Sequence, residues 1–236
     1  MDYRFTDHFL AGVLLNYTGS TVDLINNGRL DANAFRGGVY ASLFGGGAYI
    51  NGFVGGAYSD YNMTRQGLGG TVRGDTSGGD FNALIATGYD FHAGGFTYGP
   101  VGSFQYTYSG LDSFNESGSL APLHINAGHG DSLLTNLGAR ATYECHIGNM
   151  VLVPEVRATW QHEYGDVFDE VSASMLLGSP AFTVTSSPIG RDSLVLNAGF
   201  TLRLTPNMST YAFYDGELAR SNYQANNLLV GFRASF

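Results

Sequence analysis

The sequence predicts an all-β protein: an antiparallel, up-and-down transmembrane β-barrel of about ten complete strands plus an N-terminal stub. Three observations predict it. Apolar residues fall on every second position over stretches of about ten residues, which is side-chain alternation of the strand kind. Very short connections between the stretches alternate with long ones. The composition is poor in charge, at 13%, yet holds 14% aromatics and 34 glycines, where an average soluble domain is about 25% charged.

The chain punctuates itself in that way from end to end. In 9–17, Phe9, Ala11, Val13, Leu15 and Tyr17 share one face. In 35–43, Phe35, Val39, Ala41 and Leu43 oppose Arg36, Tyr40 and Ser42. Segments 48–58, 82–91, 98–108, 133–145, 152–164, 194–204, 208–217 and 226–236 repeat the pattern. Short turns are expected at "TDH" (6–8), "GGG" (45–47), "AGG" (93–95), "IGN" (147–149) and "TPN" (205–207). Long links are expected at 19–31, 60–79, 109–130, 165–191 and 218–225. Short turns at one end and long loops at the other are the layout of outer-membrane barrels, where the turns are periplasmic and the loops extracellular.

Soluble barrels and sandwiches alternate too, so strand length has to discriminate. Soluble strands run to about 5–6 residues, whereas a tilted membrane crossing needs about ten. Charge is sparse and sits mid-strand opposite the apolar face. Arg36, Gln105, Arg140, Glu155, Arg157, Arg203, Asp215 and Glu217 are therefore the expected lining of a polar lumen. Arg140 is expected to pair across strands with Glu155 and Arg157. Tyr58, Tyr89, Phe91, Tyr108, Tyr143, Tyr164 and Tyr214, near strand ends, suit aromatic girdles in contact with lipid.

Other classes are excluded or weak. A net charge of −9, with no lysine among the eleven basic residues, argues against nucleic acid, which needs a basic footprint. One cysteine, Cys145, rules out an internal disulfide framework and a cysteine metal cage. No apolar run approaches the length of a membrane-spanning helix. "MDYRFTDHFL" has acids where a secretory leader is basic, so a protein lying beyond the inner membrane would here be without its own start. "GDSL" (130–133) spells an esterase signature around Ser132 without the alternating strands and helices that chemistry needs. "HEYGD" (162–166) places His162 and Glu163 on opposite faces and lacks the second histidine of a zinc motif. His124, His129 and Asp131 are the candidates for a loop-borne hydrolase. "RGD" (73–75) is expected in a flexible glycine-rich loop. No cofactor or metal is implied.

Six stretches together resemble the C-terminal β-barrel translocator domain of autotransporters, the type V secretion proteins. They are "DYRFTDHFLAGVLLNYTGSTVDL" (2–24), "DSLLTNLGARATYE" (131–144), "PEVRATWQHEYGD" (154–166), "FTVTSSPIGRDSLVLNAGF" (182–200), "TYAFYDGEL" (210–218) and "LLVGFRASF" (228–236). The resemblance covers nearly the whole chain. It implies a twelve-stranded outer-membrane barrel that exports and displays an N-terminal passenger, with a linking segment through the pore. Against that pattern "DYRFTD" aligns with the end of the second strand. Residues 1–236 are then one barrel domain, truncated at its N-terminus. The resemblance also implies that the closing strand, with Leu228, Val230, Phe232 and Phe236 on one face, is the signal read by the barrel-assembly machinery. A stand-alone porin-like channel or adhesin, with 60–79 and 109–130 making contacts, is the alternative.

Overall fold

The computed structural model describes residues 1–24 and 27–235. In chain order the strands begin with β1 (Asp2–Thr6), β2 (Phe9–Leu24), β3 (Gly28–Gly45), β4 (Ala48–Gly67), β5 (Gly70–Tyr89) and β6 (Phe91–Ala93). Then come β7 (Phe96–Leu111), β8 (Phe114–Asn115), β9 (Leu123–Ile125), β10 (Gly128–Tyr143), β11 (Cys145–Ile147) and β12 (Met150–Glu163). The last are β13 (Glu170–Met175), β14 (Phe182–Thr185), β15 (Asp192–Thr205), β16 (Met208–Leu218) and β17 (Ala225–Ala234).

The main sheet runs β1-β2-β3-β4-β5-β7-β10-β12-β15-β16-β17, each strand antiparallel to its neighbour. Ten long strands and the five-residue β1 reproduce the expected count. Tight turns join the strands at all five expected places. At 45–47, Gly46 and Gly47 both take positive φ, 61° and 90°, the left-handed pair a two-residue hairpin turn needs.

Which face is concave follows from reach. Side chains that meet across an intervening strand lie on the inside of the curl. Arg36 on β3 meets Asp80 on β5 over β4, and Gln161 on β12 meets Glu217 on β16 over β15. Tyr40 on β3 meets Asp2 on β1 over β2. Side-chain bonds from the other face join neighbours only, as Trp160 joins Asp192. That convex face carries Val13, Val39, Val54, Ile85 and Phe104, each about half exposed.

The long links are a correction. Within 60–79 there is almost no loop: β4 and β5 run 20 residues each and turn only at Leu68–Gly69. The described parts of 19–31 are likewise strand except the turn residue Asn27, paired from Gly19↔Asn33 to Leu24↔Gly28. The RGD triplet therefore lies inside β5, with Arg73 opposite Thr64 and Asp75 opposite Asn62. Links 109–130 and 165–191 supply a second sheet in the order β14-β13-β9-β8. It attaches to β5 through a bridge between Arg73 and Ser117. Two arms of the wall thus pair with each other instead of hanging as loops.

The edges decide closure. A membrane wall satisfies its backbone by joining edge to edge, and the sequence leaves open whether these strands do so alone. Among the described residues β1 and β17 do not hydrogen-bond to each other. Beyond the bonds Val13 exchanges with Met1, β2 has a free side for the rest of its length among the described residues. The sheet is a curled, open wall.

Candidate functional site

The concave face is the site the sequence points to, and register shows how it is assembled. Each long strand alternates, so one residue in two enters the curl. Register puts Arg36, Gln105, Arg140, Glu155, Arg157, Arg203, Asp215 and Glu217 on one face, through direct cross-strand pairs.

Their partners differ from expectation. Arg140 stands opposite Arg157, and Glu155 opposite Thr142. Two guanidinium groups facing each other repel, and Arg140 turns instead to Asp90, at 2.7 Å and 2.9 Å, with Tyr49 5.0 Å beneath it. Arg36 holds Asp80 at 2.8 Å. Arg203 holds Glu144 at 2.9 Å near the short-turn end, both well exposed. Glu217 accepts bonds from Gln161 at 3.1 Å and from Arg220 at 3.0 Å. Asp215 accepts from Asn197, and Gln105 donates to Thr107 at 3.3 Å. Among the described residues Glu155 and Arg157 make no side-chain hydrogen bond or ion pair. They line a cavity of about 430 Å³ with Asn197, Asp215, Phe213 and Leu229.

Asp80 and Asp90, the acids that neutralise Arg36 and Arg140, are not among the residues the sequence singles out. Alternation assigns a residue its face but does not show reach across a strand. Glu163 was also underrated. It is buried, and it accepts from Ser132 at 2.6 Å and from the Leu133 and Gly165 amides at 2.8 Å. Ser132 therefore serves as a donor to a structural carboxylate. His162, on the opposite face as expected, bonds Asp192 at 2.8 Å. That bond, with the Trp160 indole, holds the Asp192 carboxyl below its ordinary range. His124 bonds Asn115, His129 stacks on Tyr108 and Asp131 accepts from Tyr106; nothing among the described residues joins the three into a dyad or triad.

On the convex face the aromatic residues form two belts. Tyr89, Phe91, Phe96, Tyr98 and Tyr143 cluster at the short-turn end, with ring centroids 4.5–5.8 Å apart. Tyr17, Phe35 and Tyr58 lie on successive paired positions at the other end. Tyr98 and Tyr108 are ten residues apart on β7. At about 3.3 Å per residue and a tilt near 40°, that puts the belts roughly 25 Å apart, the height of a barrel's apolar band. On the closing strand Leu228, Val230 and Phe232 point outward, at 76%, 66% and 55% exposure; Phe236 lies outside the described residues.

An apolar convex face between aromatic belts, backed by a polar concave face, is the wall of a membrane-spanning β-barrel. The chain belongs to the autotransporter family, since the "Autotransporter beta-domain" family matches residues 1–215; this membership indicates the bacterial outer membrane. Among solved structures it is similar to the translocator domain of autotransporter NalP from Neisseria meningitidis, with a TM-score of 0.79 at 15% identity, covering 100% of this chain and 78% of that one. It is also similar to the β domain of the Bordetella autotransporter BrkA, with a TM-score of 0.72 at 19% identity, covering 97% and 84%. The transport unit of AIDA-I from Escherichia coli gives 0.65 at 14%, covering 100% and 79%. Among curated proteins, an extracellular serine protease of Serratia marcescens is 28% identical over 153 residues, 65% of this chain and 14% of that protein. The chain thus spans a small part of that relative's length.

Proposed function

We propose that this chain anchors a passenger polypeptide in the outer membrane and supports its export, with the polar half of the concave face in contact with the segment that threads the wall. One observation carries this reading: charged groups gather on the concave side, where Arg36–Asp80 and Arg140–Asp90 neutralise one another, while among the described residues the convex side holds none of the pairs that reach across a strand. A wall of that kind encloses a hydrated path and presents hydrocarbon to lipid. In this reading the arms built on β4–β5, β8–β9 and β13–β14 are extracellular and the short turns and C-terminus periplasmic. The alternating closing strand, whose outer edge is unpaired, is available for β-augmentation by the assembly machinery. The domain is one barrel unit over 1–236 whose role is mechanical and not catalytic.

Two measurements test this. A leader and a reporter fused upstream of Met1 should become accessible to protease on intact cells; a reporter retained inside while the wall is folded overturns the export reading. Single cysteines at Leu68 and Leu177, in a Cys145→Ser background, should react with an impermeant maleimide on intact cells, and one at Gly94 should not. The reverse pattern overturns the orientation.

A further inference from the structure

The concave face is not uniformly polar, and the division is by arc. On β3, β4 and β5 the inward residues at mid-height are Tyr40, Phe53 and Leu84, which are direct cross-strand partners. The Phe53 ring lies flat over Gly38 and Gly55, filling the space a Cβ would need at either. A smooth aromatic floor results. Opposite in the sheet order, β12, β15 and β16 present Glu155, Arg157 and Asp215 around the 430 Å³ cavity. Arg36, Arg140 and Arg203 have already found acids. Among the described residues Glu155 and Asp215 make no ion pair, and Arg157 is the one cation that lines the cavity with them, so the lining is one negative charge in excess. The chain has no lysine to supply the balance.

Resting on the translocator reading, we infer that the segment held against this wall is amphipathic: an apolar stripe packs on Tyr40, Phe53 and Leu84, and a basic side chain on its other stripe enters the Glu155–Asp215 cavity. Charge complementarity carries the sign. Glu155 is half-buried with no side-chain partner among the described residues, and Asp215 has only the neutral Asn197 amide; leaving such charge uncompensated is costly, and a guanidinium or ammonium group from the occupant restores neutrality with charge-assisted hydrogen bonds. Apolar contact carries the other half: a Leu-sized side chain on the Phe53 floor removes both surfaces from water. A uniformly polar or an acidic segment satisfies neither arc.

The test uses the full chain folded in detergent micelles and three fluorescent 20-residue peptides. One has a leucine stripe and an arginine stripe, the second has the same composition scrambled, and the third has glutamate for arginine. The striped basic peptide should bind at least tenfold more tightly than either control, beyond any binding to empty micelles. Glu155→Gln with Asp215→Asn should weaken it about tenfold while leaving the heat-modifiable gel shift of the folded wall intact. As a check independent of those variants, a photo-crosslinker at Phe53 should capture the leucine stripe and one at Asn197 the arginine stripe. Equal binding of the three peptides, or crosslinks indifferent to stripe, overturns the inference. Reporter export that persists alongside such a result leaves the translocator reading standing, so the two fail separately.

Discussion

Strand β4 contains two regions built by opposite rules. From Ala48 to Tyr58 its convex residues are Ala48, Ile50, Gly52, Val54, Gly56 and Tyr58; from Asp60 to Gln66 the same side carries Asp60, Asn62, Thr64 and Gln66. The concave side mixes both kinds throughout, with Tyr49, Asn51, Phe53, Ala57 and Ser59 below and Tyr61, Met63 and Arg65 above. Its β5 partner in the upper region, Val72, is 1% exposed beneath the arm. β3 inverts between Phe35 and Asn33, and β2 between Tyr17 and Gly19, in register with β4. A continuous, twenty-residue strand is therefore apolar outward where hydrocarbon meets it and polar outward where water does. Pattern is read by solvent, not by the strand.

The largest break in that comparison comes from charge. Val54→Arg places a guanidinium on the convex face inside the band and is expected to cost about 2–4 kcal/mol. Thr64→Arg, ten residues on along the same side, should stay within about 0.5 kcal/mol. Urea unfolding in liposomes reads both, and equal losses would erase the boundary between the regions. Next, Glu116→Ala removes a buried carboxylate that Arg65 grips with three contacts of 2.7–3.0 Å. About 3 kcal/mol should be lost, confined to the upper region, so residues 112–126 become protease-sensitive while the band stays intact. Arg140→Leu strands Asp90 within the band and should lower the heat resistance of the folded wall in detergent, by about 2 kcal/mol; an unchanged transition argues against a lumen network. Val72→Ala should cost about 2 kcal/mol, whereas Val39→Ala on the lipid side should cost little, because lipid fills the gap. Smallest is the response to acid. Asp31 is held below its usual range by Arg29 and Thr21, and Asp192 by His162 and Trp160. A lowered carboxylate contributes above its unfolded value, near 4, and the contribution is lost as pH falls through the lower folded value. Tryptophan fluorescence from Trp160 should therefore hold steady down to about pH 4 and change only below it.

Why the band was legible in sequence and the arms were not follows from the same inversion. Within the band, alternation, the short turns and the aromatic positions all agree, so Arg36, Gln105, Arg140 and the others could be assigned a face. At Tyr58–Asp60 the apolar phase slips by one residue, and 60–79 reads as a polar, glycine-rich loop although Thr64↔Arg73 and Asn62↔Asp75 are ladder pairs. The second sheet rests on β9–β13, a pairing between segments 46 or more residues apart with only three or six residues per strand; local pattern has no purchase on it. In the lumen, faces could be read but partners could not. Arg140 and Asp90 are 50 positions apart and two strands over. Reach of that kind depends on how tightly the sheet curls, which no single strand encodes.

The in-register switch at Tyr17, Phe35 and Tyr58 also works as a depth gauge. From the short turns to that line β2, β3 and β4 offer nine to eleven residues, and Asn33 and Asp60 follow within two positions. A membrane a few ångströms thicker would draw those side chains into hydrocarbon, and the rigid ladder cannot stretch to avoid it. Fractions of a kcal/mol per ångström of such mismatch suffice to sort proteins among membranes, so the wall is cut for a thin one.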